Sequence, residues 1–454
     1  MLGPPTRART ASRRWLRSPG QVIVLGFASA VALGTVLLLL PVSRAGPGGA
    51  PVITALFTAT SAVCVTGLIT VDTGTYWTGF GQAVILGLIQ VGGLGIMVLA
   101  SMVGLLMFRR MGLRTRLTAA AETKSTGIGD LRTVVVGVGK VSLLVEAILA
   151  VILTARFLWA YDEQPGRAVY LGVFHAVSAF NNAGFALYSD NLTQFVTDPW
   201  ICLPVAAAII LGGLGFPVLL ELRRELPRPR TWSIHTRLTL ATYFGLLVLG
   251  VVFVTANEWN NPATLGTLDE PGRLLAGFFQ GVVPRTAGFN SLDYGAMKDG
   301  TLLGTTVLMF IGGGSAGTAG GIKVTTFIIL FFVILAEVRG GRDVNVADRR
   351  IGARVQRQAL AVALLAVGLV VSTTLLLLEI TSLPMRDVLF ETVSAFATVG
   401  LSTGITGDLP VLGEVVLAGL MFVGRLGPIT LVSALALRQT QLGYTLPEGR
   451  PLIG

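Results

Sequence analysis

Residues 57–67 read FTATSAVCVTG, and three later stretches repeat their outline: FHAVSAFNNAG at 174–184, FFQGVVPRTAG at 278–288 and FETVSAFATVG at 390–400. In each, a phenylalanine (Phe57, Phe174, Phe278, Phe390) precedes a glycine (Gly67, Gly184, Gly288, Gly400) by ten residues, and Leu or Phe follows the glycine. Three copies carry Ser-Ala ahead of the glycine, beginning at Ser61, Ser178 and Ser394, whereas the third has Val282, Val283 and Pro284. The glycines lie 117, 104 and 112 residues apart, between long apolar runs. One unit written four times predicts a repeated architecture with a glycine-centred element in each copy. Helix packing explains a single such glycine, because small residues are common at membrane helix interfaces, but it does not explain four at matched positions.

Composition sets the class around these stretches. With 52% hydrophobic and 13% charged residues and a mean hydropathy of +0.74, the chain is expected to be an all-α polytopic membrane protein. Cys64 and Cys202, both in apolar surroundings, form no disulfide framework and have no metal-ligand spacing. The basic N-terminus ahead of the run from Gln21 to Leu40 imitates a signal peptide, but that run is long enough to span a bilayer and is read as a retained first helix.

The net charge of +10 is distributed unevenly: 24 of the 34 Lys and Arg residues fall in the N-terminal tail, three connections and the C-terminal tail, and the other connections are mostly acidic. By the positive-inside rule both termini and the basic loops are cytoplasmic. The charge therefore reports topology, because these arginines sit in short loops at helix ends and form no nucleic-acid-binding face.

Each copy is expected to contain an outer helix, a short half-apolar segment and a Gly-rich inner helix. The outer helices fall near 21–40, 133–159, 236–255 and 358–380, and the inner ones near 79–107, 201–220, 301–336 and 411–437. Between them lie segments 53–63, 170–180, 274–283 and 386–396, too short to cross a bilayer and of the length of a re-entrant half-helix. The domain plan is then repeats 21–107, 133–220, 236–336 and 358–437, arranged pseudo-fourfold around a central pore. They are joined by cytoplasmic loops 108–132, 221–235 and 337–357 and flanked by cytoplasmic tails 1–20 and 438–454.

Non-helical backbone at membrane depth must be buried in protein or line water. The stretches after the half-helices are therefore expected to face the pore: Val63, Cys64, Val65, Thr66 and Gly67; Asn181, Asn182, Ala183 and Gly184; Arg285, Thr286, Ala287 and Gly288; Ala397, Thr398, Val399 and Gly400. Four such strands can replace the hydration shell of a monovalent cation with backbone carbonyls. The negative ends of the half-helix dipoles favour cations over anions. The Asn181 and Asn182 side chains are expected to brace this backbone, and Arg285 to hold an acidic group on the extracellular side. His175 and His235 have no ligand spacing and are read as structural.

The inner helices carry a second pattern: GGLG at 92–95 and 212–215, GRLG at 424–427, and in the third copy GGGSAGTAGG at 312–321. Six interior glycines cost a helix about 5–6 kcal/mol relative to alanine. The segment Gly312, Gly313, Gly314, Ser315, Ala316, Gly317, Thr318, Ala319, Gly320 and Gly321 is therefore expected to break the helix just below the filter and act as a gate, against the alternative of a packing face that stays helical. Its match to the dinucleotide pattern GxGxxG is discarded, because a membrane helix precedes it and no βαβ unit follows. Lys323 either stabilises the gate or snorkels to the cytoplasmic edge. Arg425 occupies the place of Gly93 and Gly213 at bilayer depth, where an arginine needs a cavity and carbonyl or carboxylate partners. Either it controls flux beneath the filter, or it forms a buried ion pair with Glu379 or Glu391.

These residues resemble the Trk/Ktr/HKT superfamily of potassium transporters over essentially the whole range 21–437, and within it the KtrB-like ion-translocating subunits, because only about twenty polar residues precede the first repeat. The resemblance implies potassium uptake through a pore with one filter glycine per repeat, a mobile loop at 312–321 and a regulatory arginine at 425. It also implies sodium dependence in some members, a homodimer in the bilayer and a cytosolic nucleotide-binding ring of the KtrA type. No organic cofactor site is read in this chain. An intramembrane enzyme would need clustered carboxylates or a nucleophile with a base, and no such cluster is visible in the sequence. A secondary transporter of another cation or solute with broken helices is the closer alternative, but such proteins usually pair inverted halves, whereas these repeats are parallel.

Overall fold

Among the described residues four helices are long and apolar enough to cross a membrane: Gln21–Leu39, Val135–Ala160, Ile234–Glu258 and Ala353–Ile380, and no more than a third of each apolar window is buried by protein. Lipid, not protein, therefore solvates most of their surface, and exposed Val151, Leu364 and Leu33 are at home there. They are the outer helices expected from the sequence. The computed structural model describes residues 19–110, 131–341, 343–346 and 349–427. The tail expected before residue 19, the loop segment 111–130 and everything after residue 427 lie outside the described residues.

In chain order the helices are α1 (Pro19–Leu39), α2 (Val52–Val63), α3 (Thr73–Tyr76), α4 (Gly79–Arg110), α5 (Leu131–Ala160), α6 (Pro165–Phe180), α7 (Pro199–Leu214), α8 (Phe216–Glu225), α9 (Ile234–Glu258), α10 (Glu270–Val282), α11 (Asp299–Phe310), α12 (Val324–Val338), α13 (Ala353–Ile380), α14 (Met385–Phe396) and α15 (Val411–Leu426). Two-residue strands Asn345–Val346 and Arg349–Arg350 pair antiparallel. The half-helices α2, α6, α10 and α14 each pack on the outer helix of their own copy. Phe57, Phe174 and Phe390 are fully buried, which anchors three of the four.

The third copy departs from the spacing. Phe278 is only half-buried, while its neighbour Phe279 is fully buried. Helices α2, α6 and α14 end four residues before their glycine, but α10 ends six before, at Val282. Pro284 supplies no amide hydrogen and cannot extend the helix. The ten-residue interval in this copy therefore does not mark the buried aromatic.

The second inner helix also differs from expectation. It is not continuous over 201–220: α7 and α8 meet at 100°. Gly215 stands at the bend in the left-handed region with φ 93°, and Pro217 opens the next helix. The third inner helix stops at Phe310 and resumes at Val324, so the segment 312–321 is a non-helical loop between two helices.

Candidate functional site

The four glycines meet. A methyl group on Gly67 would overlap the Ala183 carbonyl oxygen, one on Gly184 would lie 2.9 Å from the Ala287 oxygen, one on Gly288 2.6 Å from the Val399 oxygen, and one on Gly400 would overlap the Thr66 oxygen. Each segment thus presents the carbonyl before its own glycine to the glycine of the preceding copy, with the first segment meeting the fourth, in a closed ring of four. Substituents that size do not fit, which is the packing reason for glycine here.

The backbone ahead of each glycine is strained in the same way. Val65, Asn182, Thr286 and Thr398, each two residues before the glycine, take φ of 54°, 58°, 68° and 49°. Three of them are β-branched, for which this region is a true outlier, at about 1–3 kcal/mol each. The half-helix C-terminus over-determines this conformation. Amides of Thr66, Ala183 and Val399 donate to the carbonyls of Ser61, Ser178 and Ser394, each at 2.8 Å. The serine hydroxyls add further ties: Gly67 N and Gly400 N donate to Ser61 Oγ and Ser394 Oγ at 3.1 Å, and Ser178 Oγ donates to the Phe185 carbonyl. In the third copy Ala287 N reaches Val283 O at 3.1 Å and Val282 brings no hydroxyl.

Asparagine side chains support the second segment. Asn181 Nδ2 donates to Gln90 Oε1 at 3.0 Å and to Glu146 Oε1 at 3.1 Å. The Asn182 carboxamide lies within 3.2–3.3 Å of the carbonyls of Arg285, Ala179 and Ile209. His175 stacks on Tyr188 and bonds the Leu171 carbonyl through Nδ1 at 2.8 Å, as a structural histidine does.

On one side of the ring is a cavity of roughly 500 Å³, floored by the four glycines and walled in part by Asp190, Asp293, Asn191 and Asn290. Carboxylates at such a mouth raise the local concentration of cations. The opposite side is closed by the inner-helix motifs. A methyl group on Gly92, Gly212 or Gly424 would overlap the last carbonyl of its own half-helix, at Val63, Phe180 or Phe396. These motif glycines let the inner helices press against the ring from behind.

The loop 312–321 seats beneath the ring on the broken second inner helix. Gly314 N donates to Gly213 O at 2.8 Å, Thr318 N to Gly212 O at 3.2 Å, and Phe216 N to Ala316 O at 3.2 Å. Its two stems join where Gly312 N donates to Ile322 O at 2.9 Å. Two buried arginines hold it. Arg425 donates to the Thr318 carbonyl and, at 3.2 Å, to Gly92 O, bridging loop and first inner helix. Arg285 donates through Nη1 to Ile311 O at 3.0 Å. Lys323 Nζ donates to Ala319 O within the loop.

One alternative is set aside and one expectation is corrected. Among the described residues Arg425 has no carboxylate partner: Glu391 accepts from Thr406 instead, and Glu379 is exposed. Arg285 does not reach an acidic group at the mouth; its side chain turns to the loop carbonyls on the other side of the ring. The left-handed residues before the glycines and the bend at Gly215 were missed from sequence, although the Pro217 that follows GGLG marks the bend.

A family model described as TrkH, cation transport protein, matches residues 38–442. The chain is 41% identical to the Ktr system potassium uptake protein B of Bacillus subtilis, covering 97% of this chain and 98% of that one. It is 38% identical to the protein of the same name from Vibrio alginolyticus, covering 96% and 94%, and 34% identical to the potassium/sodium uptake protein NtpJ of Enterococcus hirae, covering 96% and 97%. The crystal structure of the potassium transporter TrkH from Vibrio parahaemolyticus superposes with a TM-score of 0.75 at 17% identity, covering 94% of this chain and 86% of that one. Four glycine-closed segments, lipid-facing outer helices and near full-length likeness lead to one assignment: the chain belongs to the TrkH family of cation transport proteins.

Proposed function

We propose that the chain carries potassium into the cell through the ring of four glycine-terminated segments, with the loop 312–321 and Arg425 as the gate beneath it. The observation that carries this reading is the closed ring: four strained backbones aim carbonyls at one another's glycines. Carbonyl rings of this kind exchange for the hydration shell of an alkali cation. The names of the Bacillus and Vibrio relatives favour potassium, and that of the Enterococcus relative makes sodium the competitor to measure.

In this reading the chain lies in the cytoplasmic membrane with both termini inside and the cavity facing out, following the positive-inside rule. A membrane potential of 100 mV then contributes about 2.3 kcal/mol per ion, or about fifty-fold accumulation, so coupling to a second ion is not required. A homodimer and a cytosolic nucleotide-binding ring of the KtrA type complete the assembly, and the basic 337–357 connection offers the docking charge. The experiment is ion flux into liposomes containing the purified chain, comparing potassium with sodium, with and without the ring subunit. Potassium flux at low sodium supports a pore. Strictly stoichiometric exchange of another solute supports the secondary-transporter alternative and overturns the proposal.

A further inference from the structure

We propose that Arg285 is a positioning residue that couples the third segment of the ring to the hinge of the intramembrane loop, so that ion occupancy and loop position change together. The inference rests on the ring being selective and the loop being the gate.

Arg285 belongs to both parts. Its backbone lies three residues ahead of Gly288, next to the left-handed Thr286, and its amide donates to Val282 O at 3.1 Å. Its side chain leaves the ring and places Nη1 3.0 Å from Ile311 O and 3.4 Å from Gly312 O, the first two residues after α11 ends. The guanidinium carbon stands 5.8 Å from the centre of the Tyr243 ring. The residue is 1% exposed. Among the described residues its side chain's polar partners are those two carbonyls, and Nη2 has none. A charge in that setting is held by the loop hinge and by the ring of Tyr243.

The other copies explain why the link sits in the third. Ser61 and Ser394 tie their glycine amides to their own half-helices, and Ser178 ties its segment through Phe185 O. Val282 offers no such hydroxyl, so the third segment's side-chain anchorage runs to the loop instead. Because Ile322 N also donates to Phe310 O at 3.2 Å, both stems of the loop move with the hinge that Arg285 holds. Arg425 holds the loop separately, at Thr318. A displacement of the stems therefore pulls on the peptide unit that Arg285 shares with Thr286. By linkage, an ion that stabilises one arrangement of the ring shifts the loop by the same factor that the loop shifts ion affinity.

The test uses the full chain in liposomes with a reporter, Ser315→Cys. Ser315 is half-buried in the loop, whereas native Cys64 and Cys202 are fully buried and give little background. A membrane-permeant maleimide should label the reporter at rates that differ about fivefold between external potassium and external sodium, a typical coupling. Adding Arg285→Gln should bring the two rates within about twofold, and Arg285→Lys, which reaches one carbonyl but not both, should fall between. Equal rates in the reporter alone, or an undiminished difference in Arg285→Lys, overturn the proposal even where Arg285→Gln fails to insert. Potassium and sodium flux measured on the same liposomes separates the two readings. Unselective flux in the unsubstituted chain removes the filter, while selective flux with ion-indifferent labelling removes only the coupling.

Discussion

Gly400 and Gly404 allow the close approach at the ring to be separated from the backbone strain. Both have left-handed backbones, at φ 92° and 99°. A methyl group on Gly404 meets nothing within 4 Å, whereas one on Gly400 overlaps the Thr66 carbonyl oxygen and lies 3.0 Å from Gly67 Cα. Alanine at either site pays the left-handed penalty of about 1–2 kcal/mol. Only Gly400→Ala must also drive back the first segment, because the neighbour is backbone and has no rotamer to change. If Thr66 O then fails to meet the ion, a charge–dipole contact comparable to a charged hydrogen bond is lost, about 1.5–3 kcal/mol. At about 1.4 kcal/mol per decade, potassium affinity falls roughly ten- to hundredfold. The assay is paired potassium and sodium flux in liposomes, with thermal unfolding in detergent as the control for stability. Both variants should lose stability, Gly400→Ala more because of the added backbone clash, and only Gly400→Ala should lose potassium preference. A folded Gly400→Ala protein with unchanged selectivity, or a Gly404→Ala protein that loses as much, would refute the close-packed ring.

Three further outcomes follow from the same geometry. Arg425→Ala removes a positive charge and the bridge from Thr318 O to Gly92 O; flux should rise several-fold, and a folded variant with equal or lower flux contradicts a gating role. Ser394→Ala leaves the Gly400 amide without its hydroxyl partner; thermal unfolding should show a loss of about 0.5–1.5 kcal/mol with a partial loss of selectivity, and an unchanged midpoint counts against the tie. Phe279→Ala empties a fully buried site and should cost about 3–5 kcal/mol, whereas Phe278→Ala, at a half-buried site, should cost clearly less; the reverse order of unfolding midpoints would restore Phe278 as the anchor.

The sequence was most legible where physics forces one residue type into many places at once. The glycine at the end of each segment and the first glycine of GGLG or GRLG are both sites where a side chain collides with backbone, so their recurrence located the ring and the helices behind it. It was less legible where the structure depends on direction. Arg285 is adjacent to the ring in sequence, yet neighbouring positions on a turn point to opposite sides of the membrane, and chain order alone could not say that the guanidinium reaches the loop. The left-handed Val65, Thr286 and Thr398 leave no trace at all, since their strain is imposed by the surrounding hydrogen bonds and not by their own preference. Counting residues misled in the third copy, where the half-helix ends earlier, at Val282 ahead of Pro284, and the buried aromatic is Phe279.

The closed ring has a consequence for biogenesis. Gly400 abuts the Thr66 carbonyl, and Arg425 reaches across 333 residues of chain to Gly92. During synthesis the first quarter of the ring must therefore wait, inserted but unclosed, until the last quarter leaves the ribosome. A chain stopped before residue 385 would leave that seam open to lipid or to another nascent copy, which makes the final quarter the step at which quality control can tell finished molecules from unfinished ones.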